Sequence, residues 1–498
     1  MNRSSSRDGL TLLASGISAV ATSFAIYATA ELFVVTSFNR VLLEYLPGWF
    51  IATVIHRFGD FALEGSLLFS GVVLSVVVGA VSLAGYQLGS KVVPANPLPA
   101  GFALSTLFVF VVLFSVVREV VPVVGPSIVG GAVVTLLGGF SAIVSTDDVS
   151  TQRRTLMKTI AGIGVFNVVA HAFGLVRRSQ TERAERELND RAARLEAQHM
   201  VSQANENGFD VEGIKPPVTE IDDFYVVDIN PSPPTINPTE WQLSITGLVE
   251  EELVLDVDDV REPETVHRAK TIRCLSDDID GQQMDTAIWT GSRLMDLIDD
   301  ADPNGEYAML YGADEYYYSI PLADLESALL AYGMNGWELP AEHGFPVRVL
   351  VPDRWGKLQV KWLTEIEIID AEAGGYWEER GWHGMGPVNS VTKIDRINRP
   401  GDHIQLCGHA YAGGRGVETV EVSLDGGETW EDATLGDALS HPDAARQWIY
   451  EWESDESDGE YEVYARTVDG EGTTQPEERT EPFPDGATGW PSRTIEPN

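Results

Sequence analysis

Two cysteines, Cys274 and Cys407, carry all the thiol chemistry open to this sequence. They can form one disulfide, but a disulfide-stapled scaffold and four-cysteine zinc or iron–sulfur sites are excluded. Cys274 follows the strand-like run Thr271-Ile272-Arg273. A soft thiolate suits a thiophilic metal, and flanking positive charge favours deprotonation. The plainer alternative for a single cysteine after a strand is a buried, inert thiol. Cys407, in Leu406-Cys407-Gly408-His409, reads as core. Further along, His343 and Arg348 stand five apart around Pro346 and can face one loop-lined pocket. There Arg348 offers a planar fork to a phosphate. Taken singly, His343 reads as a surface loop histidine and Arg348 as a strand-edge charge.

The elements around these residues alternate in short segments divided by Pro, Gly and Asp from Phe224 onward. Trp241–Ile245, Val266–Arg273, Val347–Val351 and Thr364–Ile369 read as strands, and Arg293–Asp300 and Leu322–Ala331 as helices. This predicts a mixed α+β domain over residues 219–387. Residues 388–498 read as all-β. Val417–Leu424 alternates and meets a turn at Asp425-Gly426-Gly427, and a second strand pair surrounds Tyr461–Val468. Short strands at this density predict an immunoglobulin-like sandwich, with Trp448, Tyr450 and Trp452 in its core or interface.

The first 178 residues are different. Apolar stretches at Leu10–Phe33, Phe61–Leu83, Phe102–Val121, Ser127–Val144 and Ile160–Val176 predict a transmembrane α-helical bundle of five spans in a lipid bilayer. The segment Leu42–Ile55, broken by Pro47-Gly48, reads as interfacial. Arg3 and Arg7 place the N-terminus inside, so everything after the fifth span falls outside the cell, although Arg177 and Arg178 oppose that orientation. Arg153-Arg154, ahead of the last span, either enforce topology or form an internal twin-arginine export signal. His56 and His171 are too weak a pair to predict haem. Residues 179–218 read as a charged, exposed helix, Gln180 to Gln203, followed by the linker Asn205–Val218.

Charge divides the chain the same way. Residues 1–180 hold 11 Lys+Arg against 8 Asp+Glu, whereas residues 181–498 hold 23 against 67. Such an acidic surface repels phosphates and excludes nucleic acid as a partner. It matches a halophilic adaptation, in which salt screens self-repulsion, with a steering surface as the second reading.

Leu330-Ala331-Tyr332-Gly333-Met334-Asn335-Gly336, then Leu339-Pro340-Ala341-Glu342-His343-Gly344-Phe345-Pro346-Val347-Arg348, is a specific run. With Val349–Pro352, Val360-Lys361-Trp362-Leu363 and the hairpin Val420–Trp430, it resembles the sulfite oxidase family of molybdopterin enzymes. The resemblance covers Phe224 to the C-terminus and leaves out the apolar part. It implies a molybdenum-molybdopterin cofactor, with Cys274 as the metal ligand. It places His343, Arg348 and Lys361 on the pterin, with Gln359 and Val360 helping through their backbones. Tyr225, Val226 and Asp228, in Tyr225–Ile229, match another pterin-contacting stretch, and Asp314 a further one. It also implies a small-molecule substrate, a redox partner and dimerisation through the sandwich.

The family holds sulfite with several arginines and a tyrosine. Those positions fall here on Val227, Ile279, Trp382 and Asp485. Losing the arginines removes charge-assisted capture of an anion, so a less anionic substrate is expected. Arg354 and Arg380 are the candidates to compensate, and Trp382 and Trp289 are expected to wall the substrate side. The sequence thus predicts oxygen-atom transfer at the outer membrane face, as sulfoxide reduction or oxidation of a small sulfur compound. A membrane protein that keeps the fold only to bind a ligand or partner is the alternative.

Overall fold

The computed structural model describes residues 3–27, 33–44, 61–118, 121–143, 191–230, 232–400, 403–453 and 460–496. The described residues separate into two compact units: the N-terminal helices with Asp228–Thr235, and the rest from Arg191 onward. His56, Arg153-Arg154, the predicted span Ile160–Val176 and His171 lie outside the described residues, as does most of Leu42–Ile55.

In the first unit the described helices are α1 (Arg3–Tyr27), α2 (Val34–Glu44), α3 (Phe61–Val92), α4 (Pro97–Val117) and α5 (Val121–Ile143). Of the predicted stretch Leu10–Phe33, the part to Tyr27 lies in α1, residues 28–32 lie outside the described residues, and a separate helix starts at Val34. α1, α3, α4 and α5 approach closely because small residues meet backbone. A Cβ on Gly79 would lie 2.1 Å from the Leu12 carbonyl oxygen, and one on Gly89 2.3 Å from that of Ala100. Buried serines join the helices. The Ser105 hydroxyl donates to the Ser82 carbonyl at 2.9 Å, and Ser15 Oγ lies 2.9 Å from the Gly130 carbonyl. Leu68, Phe69, Val72, Leu107, Val111 and Leu136 point outward and are exposed. Among the described residues, Gly65–Val92 and Pro97–Val117 are long and apolar enough to cross a membrane.

The second unit opens with α6 (Arg191–Glu206). Most of its residues are exposed, as expected, but one stripe is not: Ala193 and Ala197 are buried, and Ala197 packs with Val218, Ala269 and Ile288. An alanine stripe lets the helix lie against the sheet, which residue-by-residue polarity does not show. One five-stranded sheet runs β2 (Leu253–Leu255), β1 (Leu243–Gly247), β10 (Leu363–Ile369), β5 (Tyr307–Gly312), β6 (Tyr317–Pro321), with β1 and β10 parallel. The second places β3 (Val266–Arg273), β4 (Met284–Arg293), β7 (Leu329–Met334) and β8 (Trp337–Glu338) side by side, with β9 (Arg348–Leu350) on β7.

The helix expected over Leu322–Ala331 is instead a single 3-10 turn, Leu322–Leu325, followed by β7. All six residues of β7 are buried, so the strand shows no alternation and its apolar run passes for a helix face. Short helices α7 (Val257–Arg261) and α8 (Leu294–Asp299) complete this part. An Asp256–Asp259 capping box starts α7.

The C-terminal strands form two four-stranded sheets. One runs β11 (Val391–Asn398), β12 (His403–Tyr411), β16 (Arg446–Glu453), β15 (Thr434–Leu435). The other runs β14 (Glu431–Asp432), β13 (Val417–Ser423), β17 (Tyr461–Asp469), β18 (Ser492–Ile495). Trp448 is fully buried between them, with Tyr450 and Trp452 packed against the same cluster.

Candidate active site

β3 delivers Cys274. Its backbone N–H donates to the Gln283 carbonyl at 2.9 Å, and Asp277 N–H donates back to the Cys274 carbonyl at 3.1 Å, so the residue sits at a tight bend. The residue is half-buried, and its Sγ lies 3.1 Å from the Ser276 hydroxyl. Ser276 in turn donates to Gln283 Oε1 at 3.0 Å. Burial pushes the thiol above its ordinary pKa, and the hydrogen bond from Ser276 opposes that. The expectation that Arg273 would acidify this thiol is corrected. Its guanidinium is fully buried and donates to Asp277 Oδ2 at 3.0 Å, so its charge is neutralised locally. Lys393 from β11 donates to the same oxygen at 2.6 Å and to the Gly281 carbonyl at 2.7 Å, closing the loop from below. Burial of Asp277 raises its pKa, but Lys393 and Arg273 together hold it below the usual carboxylate range.

The cation cluster forms where β9 and β10 begin. His343 ends a 3-10 turn, Ala341–His343, capped by Gly344 at φ 109°. A side chain at 344 would collide with Cβ of Arg348 at 3.0 Å and of Lys361 at 3.2 Å, which sets these residues side by side. Arg348 is buried and donates to the His343 carbonyl at 3.1 Å and the Gln359 carbonyl at 3.0 Å. Lys361 donates to the Glu342 carbonyl at 2.8 Å. Burial first, and then the charges of Lys361 and Arg348, lower the His343 pKa to about 3, so its ring is neutral.

Gln359 is a scaffold residue. Its amide accepts from Val351 N–H at 2.7 Å and donates to the Val351 and Arg354 carbonyls at 3.0 and 3.1 Å. The Val360 carbonyl accepts from Val349 N–H at 2.9 Å. Asp314 is buried in the β5–β6 turn, where Ala313 N–H donates to the Trp362 carbonyl at 2.8 Å. This sets it beside the Lys361-Trp362 step.

Aromatic rings join the cluster to Cys274. Phe224 stacks on Tyr225 with centroids 5.6 Å apart and meets His343 and Trp289 edge-on at 5.4 and 5.8 Å. The Arg348 guanidinium lies over Trp289 at 5.2 Å. At the other end, a Cβ on Gly356 would fall 3.0 Å from the Tyr225 hydroxyl and 3.4 Å from Cys274 Cα. Burial raises the Tyr225 pKa well above normal, Cys274 adds to this, and Arg348 pulls it back. Val226 continues the same extended segment, half-buried. Asp228 falls in the segment that clusters with the helical unit. Trp289 is corrected from a substrate-side residue to one beneath Arg348, because it is fully buried and donates to the Lys270 carbonyl at 3.2 Å.

Trp382 is buried and packs edge-on against Phe483 at 5.2 Å. Neither candidate arginine is available beside it. Arg380 stacks 3.5 Å over Tyr376, and Arg354 pairs with Asp324 at 2.9 Å. Sequence reasoning passed over Lys357, in the turn Gly356–Leu358. Its ammonium is buried, donates to the Trp382 carbonyl at 3.1 Å and lies 3.8 Å from Glu378 Oε1. Burial lowers its pKa to about 8, against the pull of Glu378 and Asp485. Its only sequence signal is a second cation four residues ahead of Lys361, in the stretch between Trp355 and Trp362.

The donor set fits molybdopterin. A single thiol at a loop apex can ligate molybdenum, and two cations with a neutral imidazole can hold an anionic pterin phosphate. Glycines at 344 and 356 leave the backbone clear where a side chain would intrude.

Two family models match: the oxidoreductase molybdopterin binding domain over residues 230–377 and the Mo-co oxidoreductase dimerisation domain over residues 387–482. The chain is 30% identical to mitochondrial sulfite oxidase of Rattus norvegicus over 274 residues, covering 43% of this chain and 49% of that protein. It is 27% identical to sulfite oxidase of Arabidopsis thaliana over 327 residues, covering 52% and 82%. It is 32% identical to the uncharacterized oxidoreductase YuiH of Bacillus subtilis over 152 residues, covering 30% of this chain and 75% of YuiH. The crystal structure of the sulfane dehydrogenase SoxCD from Paracoccus pantotrophus shares the fold, with a TM-score of 0.51 at 20% identity, covering 57% of this chain and 82% of that one. The chain spans about half the length of the mammalian relatives it matches. With a matching cofactor-domain model, a matching dimerisation-domain model and a three-quarter covered bacterial relative, the chain belongs to the sulfite oxidase family of molybdopterin-dependent oxidoreductases.

Proposed function

We propose that this protein transfers an oxygen atom to or from a small, sulfur-containing substrate, with Cys274 on molybdenum and His343, Arg348 and Lys361 on the pterin. The observation that carries the reading is the convergence of the Cys274 bend and the Arg348–Lys361 cations on the Phe224–Tyr225 stack. When bound, the cofactor supplies two-electron redox chemistry and the oxygen that is exchanged.

The chain's own residues prepare the site. Cys274 releases its proton to become a ligand, and the backbone N–H groups of Leu275 and Ser276 favour the thiolate. Arg348 and Lys361 would hold the phosphate, with neutral His343 able to accept or donate a hydrogen bond beside them. Asp277, Arg273 and Lys393 hold the loop rigid. Trp382 covers the substrate side. Val227, Ile279 and Asp485 stand where arginines would capture sulfite, so a substrate less anionic than sulfite suits the site.

The helical unit is proposed as a membrane anchor, and the acidic unit as extracytoplasmic. In support, apolar side chains of α3 and α4 face outward while Ser70, Ser75, Ser82 and Ser105 are buried. Homodimerisation through the C-terminal sheets is proposed from the dimerisation-domain match.

Metal analysis of the purified full-length chain, paired with a screen of sulfoxides under reduction and sulfur compounds under oxidation, tests the function. One molybdenum per chain with turnover supports it. Protein without molybdenum, grown with ample molybdate, favours a ligand-binding protein that keeps only the fold.

A further inference from the structure

The positions that the resemblance gives to substrate arginines hold none, but a buried ammonium, that of Lys357, lies against the backbone of Trp382. Gly356 neighbours Cys274, since a Cβ there would lie 3.4 Å from Cys274 Cα, and Lys357 follows it directly, reaching across to that backbone. Trp382 occupies the position that the family resemblance gives to the active-site tyrosine. An ammonium has three N–H donors. Among the described residues, one acceptor lies at normal hydrogen-bond distance, the Trp382 carbonyl at 3.1 Å, with the Glu378 carboxylate farther off at 3.8 Å. Glu378 Oε1 is itself taken at 2.5 Å by the Tyr318 hydroxyl, and the Tyr318 ring lies 5.1 Å beneath the ammonium. Lys357 is 8% exposed, so bulk water does little to satisfy the remaining donors.

We propose that Lys357 is the substrate-contacting cation of this site, donating a hydrogen bond to an oxygen of a small, uncharged or singly negative oxygen-bearing substrate. This rests on the function proposed above and deepens it. The recognising charge comes from the Gly356–Leu358 turn instead of the loop at Asp485. One cation partly offset by Glu378 holds a sulfoxide-like or monoanionic oxygen but leaves a dianion undercompensated.

The test uses reagents that react at Cys274 and carry different groups. Full-length protein made without molybdate is treated separately with iodoacetate and iodoacetamide, and the two alkylation rates at Cys274 are read by peptide mass spectrometry. Their ratio cancels changes in thiol reactivity common to both reagents. Lys357→Met should lower the iodoacetate-to-iodoacetamide ratio threefold or more, and Lys357→Arg should keep it near the wild-type value. A smaller drop for Lys357→Met overturns the proposal, and Lys357→Gln serves the same comparison if the methionine variant does not fold. Because the ratio needs no metal, it stands or falls independently of whether the loaded protein turns over a substrate.

Discussion

Lys393, on the first strand of the C-terminal sheets, places its ammonium 2.6 Å from the carboxylate of Asp277, three residues beyond Cys274. Arg273 takes the same oxygen from the other side at 3.0 Å. All three side chains are almost fully buried, so the arrangement depends on every member. Removing the carboxylate strands two cations in low dielectric. Asp277→Ala is expected to cost about 3–5 kcal/mol in urea unfolding and to lower molybdenum retention at temperatures where the fold survives. Unfolding within about 1 kcal/mol of wild type would show that the pair contributes little.

His343 gives a pH signature. Its folded pKa of about 3 lies below the ordinary 6.5, so the unfolded chain binds the proton more readily. The stabilisation is therefore fully present above pH 6.5 and fades as pH falls toward 3. Wild type should lose about 2 kcal/mol more than His343→Gln between pH 7 and 5. Parallel pH profiles of thermal stability would count against a neutral buried imidazole.

A methyl group at Gly356 would sit tightly, 3.0 Å from the Tyr225 hydroxyl and 3.2 Å from the Arg273 carbonyl, next to the Cys274 backbone. Gly356→Ala is expected to destabilise the chain by about 1–3 kcal/mol. It should also weaken metal retention more than its effect on melting explains, because it shifts the bend at Cys274. Normal molybdenum content together with a normal melting temperature would disprove the tight packing.

The two cysteines should separate cleanly. Cys274→Ser is expected to reduce turnover more than about 100-fold. Cys407 is fully buried in β12 with its thiol directed at the Arg396 carbonyl. Cys407→Ala should keep specific activity within about twofold below its melting temperature. Equal losses in both variants would remove the special role of Cys274.

Much of the site was legible because its residues sit in one continuous, specific run: His343, Gly344, Pro346 and Arg348, then Lys361, with Cys274 marked by its rarity. Lys357 was not legible. A lysine after Trp355-Gly356 looks like loop surface, and only the turn at Gly356–Leu358 carries it inward. The role of Trp289 was misplaced because sequence proximity to Cys274 says nothing about which side of the sheet a β4 residue faces. The start of β7, Leu329–Ala331, was read as the end of a helix because complete burial erases strand alternation. The buried stripe of α6 was missed because alanines at 193 and 197 count weakly in apolar patterns while enabling close approach.

Lysines 270, 357 and 393 and arginines 273 and 348 are all buried. In a unit already poor in basic residues, these positive charges support internal architecture and are withheld from the outer surface. Five aspartates, Asp277, Asp285, Asp314, Asp443 and Asp469, are buried with them, so the buried charges balance and solvent still meets the full acidic excess. At low ionic strength, an anionic electron mediator should approach slowly and a cationic one quickly, and added salt should narrow the gap.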